Sequence, residues 1–526
     1  MAYRASVKGI VQGVGFRPFV YRVARESGAS GYVRNVGNSV EIFIDSEKIK
    51  AEDFIEKIKK GHPPLAEIFS IDISPQESQN FDDFVILESV GKGESGSDIP
   101  PDVCICDACA GEIFDSGSRR HLYPFTVCTD CGPRFTIIEA LPYDRAQTTM
   151  REFAMCEACE KEYLTPVDRR FHAEPTCCPL CGPKYTLYRA REPISTKDPI
   201  KEAAEALDSG KIVAIKGVGG THLATRTTKD DSILRIRRIL GREQKPFAIM
   251  ARDIDAAKSL AQVSGAEEGL LTSFQRPIVV LRKKKIISNY IAPGLHNVGV
   301  VLPYSGIHHL LFHYSSEPAF VMTSANLPGL PMAVENSEIL ALGADYSLIH
   351  DRQIKNRCDD SVIKMIDGTA TFLRRSRGYV PKHIEVPFEN NKNILALGGE
   401  LEVAACLLKG PSAYITQYIG NTTKIETLEY LEKAVQNLME LTGVETIDVV
   451  AVDLHPSFNT SRLGREMAEK FGASLVECQH HHAHAVSLLA EHNALDIVCI
   501  STDGVGYGTD GAIWGGEVLV ADAAGF

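Results

Sequence analysis

Eight cysteines in four Cys-x-x-Cys pairs are the densest chemistry in this 526-residue chain. Cys106, Cys109, Cys128 and Cys131 recur fifty residues on as Cys156, Cys159, Cys178 and Cys181. Four thiolates close a tetrahedral zinc site with no open position, so eight imply two structural ions rather than a catalytic one. The repeat favours tandem pairing, and an interleaved pairing stays open. Cys104 and Cys177 fall outside the repeat and read as bystanders. Clustered Cys-x-x-Cys pairs in a chain opening on Met-Ala-Tyr-Arg, without an apolar leader, point to metal rather than disulfides. So short a module has little apolar core, and metal binding supplies its folding energy.

Three further clusters carry chemistry. In VQGVGFRPF (11–19), Gly13, Val14, Gly15 and Phe16 stand between a strand and a helix, where successive N–H groups can converge on an anion. Arg17 adds a bidentate phosphate ligand, and Asn35 on a strand tip can orient a water. Farther on, Lys216, Arg242, Lys245, Arg374, Arg375 and Arg377 are cations able to converge on a triphosphate, with Ser324 and Asn326 of MTSANLPG able to hold ribose or phosphate. In QHHHAHA (479–485), His480 and His484 share one face if the stretch is helical. Asp503 then adds a carboxylate ahead of the glycine-rich DGVGYGTDG loop, and the three make a second kind of metal site.

These clusters need elements to position them. Residues 1–90 read as a strand (Tyr3–Val11), a helix (Phe16–Ser27), strands at Ser30–Val36 and Val40–Ile44, a helix (Ala51–Lys60), and strands at Phe69–Ile73 and Phe84–Leu87, an arrangement of the ferredoxin-like type. Residues 91–101 have linker composition. Residues 102–190 hold the tandem zinc modules, 197–385 alternate apolar runs with helix patterns as in an α/β domain, and 393–526 restart with a long helix (Ile425–Thr442) and a strand (Val449–Asp453). The expected fold class is multidomain, α+β and α/β.

At 44% hydrophobic and 24% charged the chain is globular. A net charge of −12 argues against a nucleic-acid coat or a binder of anionic membranes. No apolar run is long enough to span a bilayer, and a soluble, cytoplasmic chain is expected.

VQGVGFR followed by Asn35 resembles acylphosphatase, in which the Arg binds the acyl phosphate and the Asn positions the attacking water. The third domain resembles YrdC-like domains, which build a carbamoyl-type adenylate from ATP. Here that family's K-x-R has Leu240 in place of its Lys, with Arg238 the candidate substitute. His-x-x-x-His, Asp and the glycine loop resemble TsaD-like carbamoyltransferases of the actin-like ATPase superfamily. In this order the four units resemble the HypF family, carbamoyltransferases that mature nickel–iron hydrogenases. The resemblance implies carbamoyl phosphate and ATP with Mg2+ as substrates, two structural zinc ions, and a divalent metal (iron or zinc) on His480, His484 and Asp503. It also implies the C-terminal cysteine of HypE as carbamoyl acceptor, on the way to a cyanide ligand. The carbamate passed between sites is short-lived in water, so an enclosed path is expected. The family's last domain continues past Phe526, so 393–526 is expected to be the first half of that fold, within a truncated chain. Two rivals are a zinc-dependent nucleic-acid-binding protein, using Arg119, Arg120, Arg169, Arg170 and Lys283–Lys285, and a tRNA threonylcarbamoylation factor.

Overall fold

The computed structural model describes residues 2–37, 39–46, 48–63, 65–90, 100–284 and 287–526. Most of the linker expected at 91–101, and Lys285, lie outside them. Strand β1 (Ala2–Ile10) alternates buried and open side chains, then a glycine turn opens helix α1 (Phe16–Ser27). β2 (Ser30–Val36), β3 (Ser39–Asp45), α2 (Ala51–Gly61), β4 (Glu67–Gln76) and β5 (Phe84–Ile86) follow. The sheet order is β4-β1-β3-β2-β5, a ferredoxin-like sheet with β5 added in parallel beside β2. Both helices are amphipathic, and Phe16, Val20, Phe54 and Ile58 meet Val7, Val33 and Ile42 in a core of their own.

In the cysteine region, helices α3 (Asp107–Phe114) and α4 (Glu157–Leu164) each start directly after the first cysteine of a repeat. The local apolar cluster is small: Tyr123, Phe125, Ile137, Met150 and Cys177.

A twelve-stranded mixed sheet comes next. Its central strands are Ala248–Ala251, Ala319–Ser324, Thr221–Arg226, Val213–Lys216 and Tyr346–His350, in that spatial order. The strand Tyr185–Arg189, which sequence reading groups with the zinc modules, pairs antiparallel with Tyr346–His350 in this sheet. Leu187 opposite Leu348 explains why, because both are fully buried in one core. Leu240 is likewise a core residue of helix Asp230–Leu240, and Arg238 on that helix is exposed. The position that departs from the YrdC-like pattern is therefore used for packing.

These three parts form one compact unit, Met1–Pro328 with Met332–Tyr379, and the remainder forms a second. The second unit has a six-stranded sheet that includes Asn393–Ala396, Val449–Asp453 and Ser474–Cys478, with helices Ile425–Thr442 and Asn459–Phe471. Helix His480–His492 starts two residues after the last of those strands. The hairpin-like pair Asp496–Ser501 and Glu517–Asp522 exposes Val498, Ile500, Val518 and Val520. Among the described residues no helix is long and apolar enough to cross a membrane.

Candidate active sites and metal centres

The sulfur atoms settle the pairing as tandem. Cys106, Cys109, Cys128 and Cys131 form one cluster, and Cys156, Cys159, Cys178 and Cys181 the other. Sulfur–sulfur separations are 3.7 Å for Cys106–Cys128, 3.8 Å for Cys128–Cys131 and 3.6 Å for Cys159–Cys181. A tetrahedron with metal–sulfur bonds of about 2.3 Å has edges of about 3.8 Å, so both clusters fit zinc. Cys104 and Cys177 are buried outside them.

The arginine pairs of the repeat are exchanged between modules. Arg119 of the first donates to the Cys159 sulfur at 3.3 Å, and Arg169 of the second donates to Cys109 at 3.0 Å. Arg120 pairs with Glu162 at 2.5 Å, and Arg170 pairs with Glu112. Burial alone would raise the Glu162 carboxyl, but Arg120 and Arg119 pull it down to about 2. A four-thiolate zinc site carries net negative charge, and each module's guanidinium offsets its neighbour's. Arg120 and Arg170 are almost fully buried, and Lys283 donates to the Ala292 carbonyl. Two of the cations that supported a nucleic-acid surface, Arg120 and Arg170, are therefore internal, and Arg119 and Arg169 are engaged on cysteine sulfurs.

The VQGVGFR loop has Gly13 and Gly15 at φ 66° and 74°. A Cβ on Gly13 would meet the Tyr143 ring at 2.7 Å. Gly15 precedes helix α1 as its capping residue and has no side chain to cap it, which leaves the helix's first N–H groups for a ligand. Val14 and Phe16 anchor the loop in the core. Gln12 donates to the Gly37 carbonyl at 2.8 Å and so ties the loop to the β2–β3 turn, next to Asn35 at the end of β2. Arg134, from the first zinc module, donates to the Gly13 carbonyl at 2.8 Å. Asn35 is fully buried, and neither its Oδ1 nor its Nδ2 has a partner. Leaving such a group unsatisfied costs about 1–3 kcal/mol, so a ligand or water belongs there.

Arg17 is buried, with Asp144 3.7 Å away. Behind Asp144, the Arg145 N–H and the Tyr163 hydroxyl each donate to Glu174 Oε2 at 2.7 Å. Burial pushes the Glu174 carboxyl up to about 7, against the pull of Arg17. Burial, then Arg17, holds His172 down at about 3. Asp144, His172 and Glu174 lie in the zinc modules, and sequence reading missed all three. For His172 and Glu174 the signal was a break in the fifty-residue repeat, where Leu122 and Pro124 become His172 and Glu174, and Asp144 between the repeats carried none.

In the large sheet, Lys216 ends one strand and Ser324 ends another, at the same edge. Arg242 donates to Thr323 Oγ1 at 3.2 Å and to Asn326 Oδ1 at 3.3 Å, so Arg242, Ser324 and Asn326 come together. Lys216 is buried, its ammonium on Asn336 and the His350 carbonyl, and burial lowers its pKa. Lys245 is exposed on the loop before strand Ala248–Ala251. Arg237, unnoticed in the sequence, holds that loop through the carbonyls of Arg242, Glu243 and Lys245. Arg374 is 3.8 Å from Asp359, and Arg375 donates to the Tyr379 carbonyl. The expected convergence of all six cations fails for Arg377. It is fully buried on Asp360 at 2.7 Å and on the Gln275 and Arg276 carbonyls, because a buried guanidinium must use its donors internally.

His480 and His484 sit one turn apart on helix His480–His492, with Nε2 atoms 3.4 and 3.0 Å from Asp503 Oδ2. Two imidazoles and a carboxylate fit a divalent transition metal. Asp453, at the end of its strand, lies 2.7 Å from His480 Nδ1 and so turns Nε2 toward Asp503. Spacing could not reveal Asp453, which is 27 residues away.

Family models match end to end: Acylphosphatase at 3–86, HypF finger at 105–138 and 155–188, the YrdC-type model described as Telomere recombination at 205–376, and HypF Kae1-like domain at 389–491. Residues 499–526 match the carbamoyltransferase Kae1-like domain, second subdomain. His480 and Asp503 thus fall in stretches matched by two different models. The chain is 52% identical to a probable carbamoyltransferase HypF of Methanocaldococcus jannaschii, over 99% of this chain and 69% of that protein. It superposes on T. kodakarensis HypF with a TM-score of 0.93 at 50% identity, covering 99% of this chain and 68% of that one. A full-length HypF solved in a phosphate- and nucleotide-bound form gives 0.92 at 41% identity, with 99% and 68% covered. With every part of the chain matched in the order of its relatives, it belongs to the HypF family of carbamoyltransferases.

Proposed function

We propose that this chain uses carbamoyl phosphate and ATP to carry a carbamoyl group to the C-terminal cysteine of a HypE-type partner, for the cyanide ligand of nickel–iron hydrogenases. The observation that carries the reading is Asn35, buried with both amide atoms unpartnered at the end of β2, beside the turn tied to the Arg17 loop. Carbamoyl phosphate binds with its phosphate on the Gly13–Phe16 N–H groups and on Arg17, and Asn35 orients the water that releases carbamate. At the edge of the large sheet, Arg242, Lys245, Ser324 and Asn326 bind ATP with Mg2+, and Lys216 and Arg374 complete the set. The carbamate oxygen attacks the α-phosphorus, pyrophosphate leaves, and carbamoyl adenylate forms. A divalent ion, iron or zinc, on His480, His484 and Asp503 would supply charge stabilisation for the developing oxyanion during transfer. His480 keeps its proton at Nδ1 on Asp453, which leaves Nε2 as donor. The relative solved in a phosphate- and nucleotide-bound form supports phosphate and nucleotide as ligands. The two four-cysteine clusters, their charge offset by the exchanged arginines, are assigned two structural zinc ions.

ATP–pyrophosphate exchange tests the reading without the partner. Exchange should require carbamoyl phosphate and disappear in Arg242→Ala. Carbamoyl-independent exchange would refute the order of steps. At the last site, Asp453→Ala should weaken metal binding about 10–100-fold, measured by competition with a chelator.

A further inference from the structure

The two zinc modules repeat position by position, and the repeat breaks where the second reaches the Arg17 loop. Residues 121–126 read HLYPFT, and residues 171–176 read FHAEPT. Leu122 and His172 share a left-handed backbone, at φ 56° and 49°, and are structural equivalents. Leu122 packs against an apolar cluster. Its counterpart does not. A continuous line of contacts runs from Arg17 to Asp144 at 3.7 Å, then from the adjacent Arg145 N–H to Glu174 at 2.7 Å. From Glu174 it continues to the Tyr163 hydroxyl at 2.7 Å and to the His172 ring, 4.8 Å from that of Tyr163. At its end, Glu174 Oε1 and His172 Nδ1 are buried without partners, as are both polar atoms of Asn35. Buried polar atoms without partners, close enough to Arg17 to feel its charge, are unusual unless a ligand or water pairs with them.

We infer that His172 and Glu174, supplied by the second zinc module, wall the acyl half of the cradle, with Glu174 Oε1 accepting a hydrogen bond from an acyl-group N–H and so selecting a carbamoyl over a methyl-bearing acyl phosphate. This rests on the reading of the Arg17 loop as an acyl phosphate site. Carbamoyl and acetyl phosphate differ only in NH2 against CH3. A site built to accept from an N–H rejects an analogue lacking it by as much as about 10⁴-fold, because the acceptor is then left unpaired. Burial holds His172 neutral, so it adds no charge that would draw the phosphate end toward it.

The test is steady-state hydrolysis of both acyl phosphates by the full chain at pH 8, where the Glu174 carboxyl is ionised. In Glu174→Gln the amide oxygen must stay on the Arg145 N–H and Tyr163 hydroxyl, which places an NH2 donor where Oε1 accepted. Carbamoyl phosphate kcat/KM should fall at least about tenfold, with acetyl phosphate unchanged within about twofold. His172→Leu installs the first module's residue on a backbone that leucine already adopts, and should lower the carbamoyl-to-acetyl ratio in the same direction. An unchanged ratio in both variants, whatever the overall rate, overturns the inference and leaves the cradle standing. Full activity on both substrates in Arg17→Ala overturns the cradle reading itself.

Discussion

Arg17→Ala should abolish measurable carbamoyl phosphate hydrolysis. The guanidinium is buried beside the glycine loop, and removing a charge-assisted ligand from a desolvated anion site costs about 2–5 kcal/mol, or about 30- to 5,000-fold in kcat/KM. The loss also removes the cation beside Asp144, whose carboxylate keeps the Ser89 hydroxyl, 3.3 Å away, as a partner. Arg17→Lys should recover little, because a point charge cannot make the bidentate contact. Asn35→Ala should behave differently. The Asn35 side chain is assigned to the water rather than the phosphate, so kcat should drop more than KM rises. Equal kcat in wild type and Asn35→Ala would remove that role.

Metal analysis should find two zinc ions per chain, retained in Cys104→Ser/Cys177→Ser and reduced to one in Cys106→Ser. Chelation should unfold residues 102–184, because the apolar cluster confined to these modules has five buried members, and structural zinc supplies about 10–16 kcal/mol. The acylphosphatase-type unit has its own core and should keep its far-UV circular dichroism. Its hydrolysis should nevertheless fall. Arg134, Asp144 and Tyr143, which hold and wall the Arg17 loop, all come from the cysteine region. Arg170→Ala should also destabilise the pair of modules, because it removes one of the three guanidinium groups, with Arg169 and Arg120, that offset the half-buried Glu112. Unchanged melting in both the chelated chain and Arg170→Ala would sink the structural role of these ions.

Much was legible along the chain because the chemistry is local. The ladder cysteines lie in pairs three residues apart, the cradle is one strand–turn–helix, and His480 and His484 are one helical turn apart, so short-range spacing already implies which atoms meet. The eight-cysteine repeat could be seen without alignment, and tandem pairing was favoured though not decided. What the sequence left open depends on contacts between distant segments. Arg119 serves the other module's Cys159, 40 residues away, and no spacing rule distinguishes such an arginine from a solvated one. Arg377 looked like one cation among six until Asp360 and two carbonyls enclosed it. Leu240 departed from its family pattern because its helix turns that position into the sheet's core. The His480 orienter, Asp453, comes from a neighbouring strand end, and the polar wall behind Arg17 comes from a zinc module more than 120 residues on. Ligand sets and glycine turns are determined by the covalent order of neighbouring residues, whereas charge pairing and burial depend on which surfaces meet in three dimensions, and only the folded chain decides that.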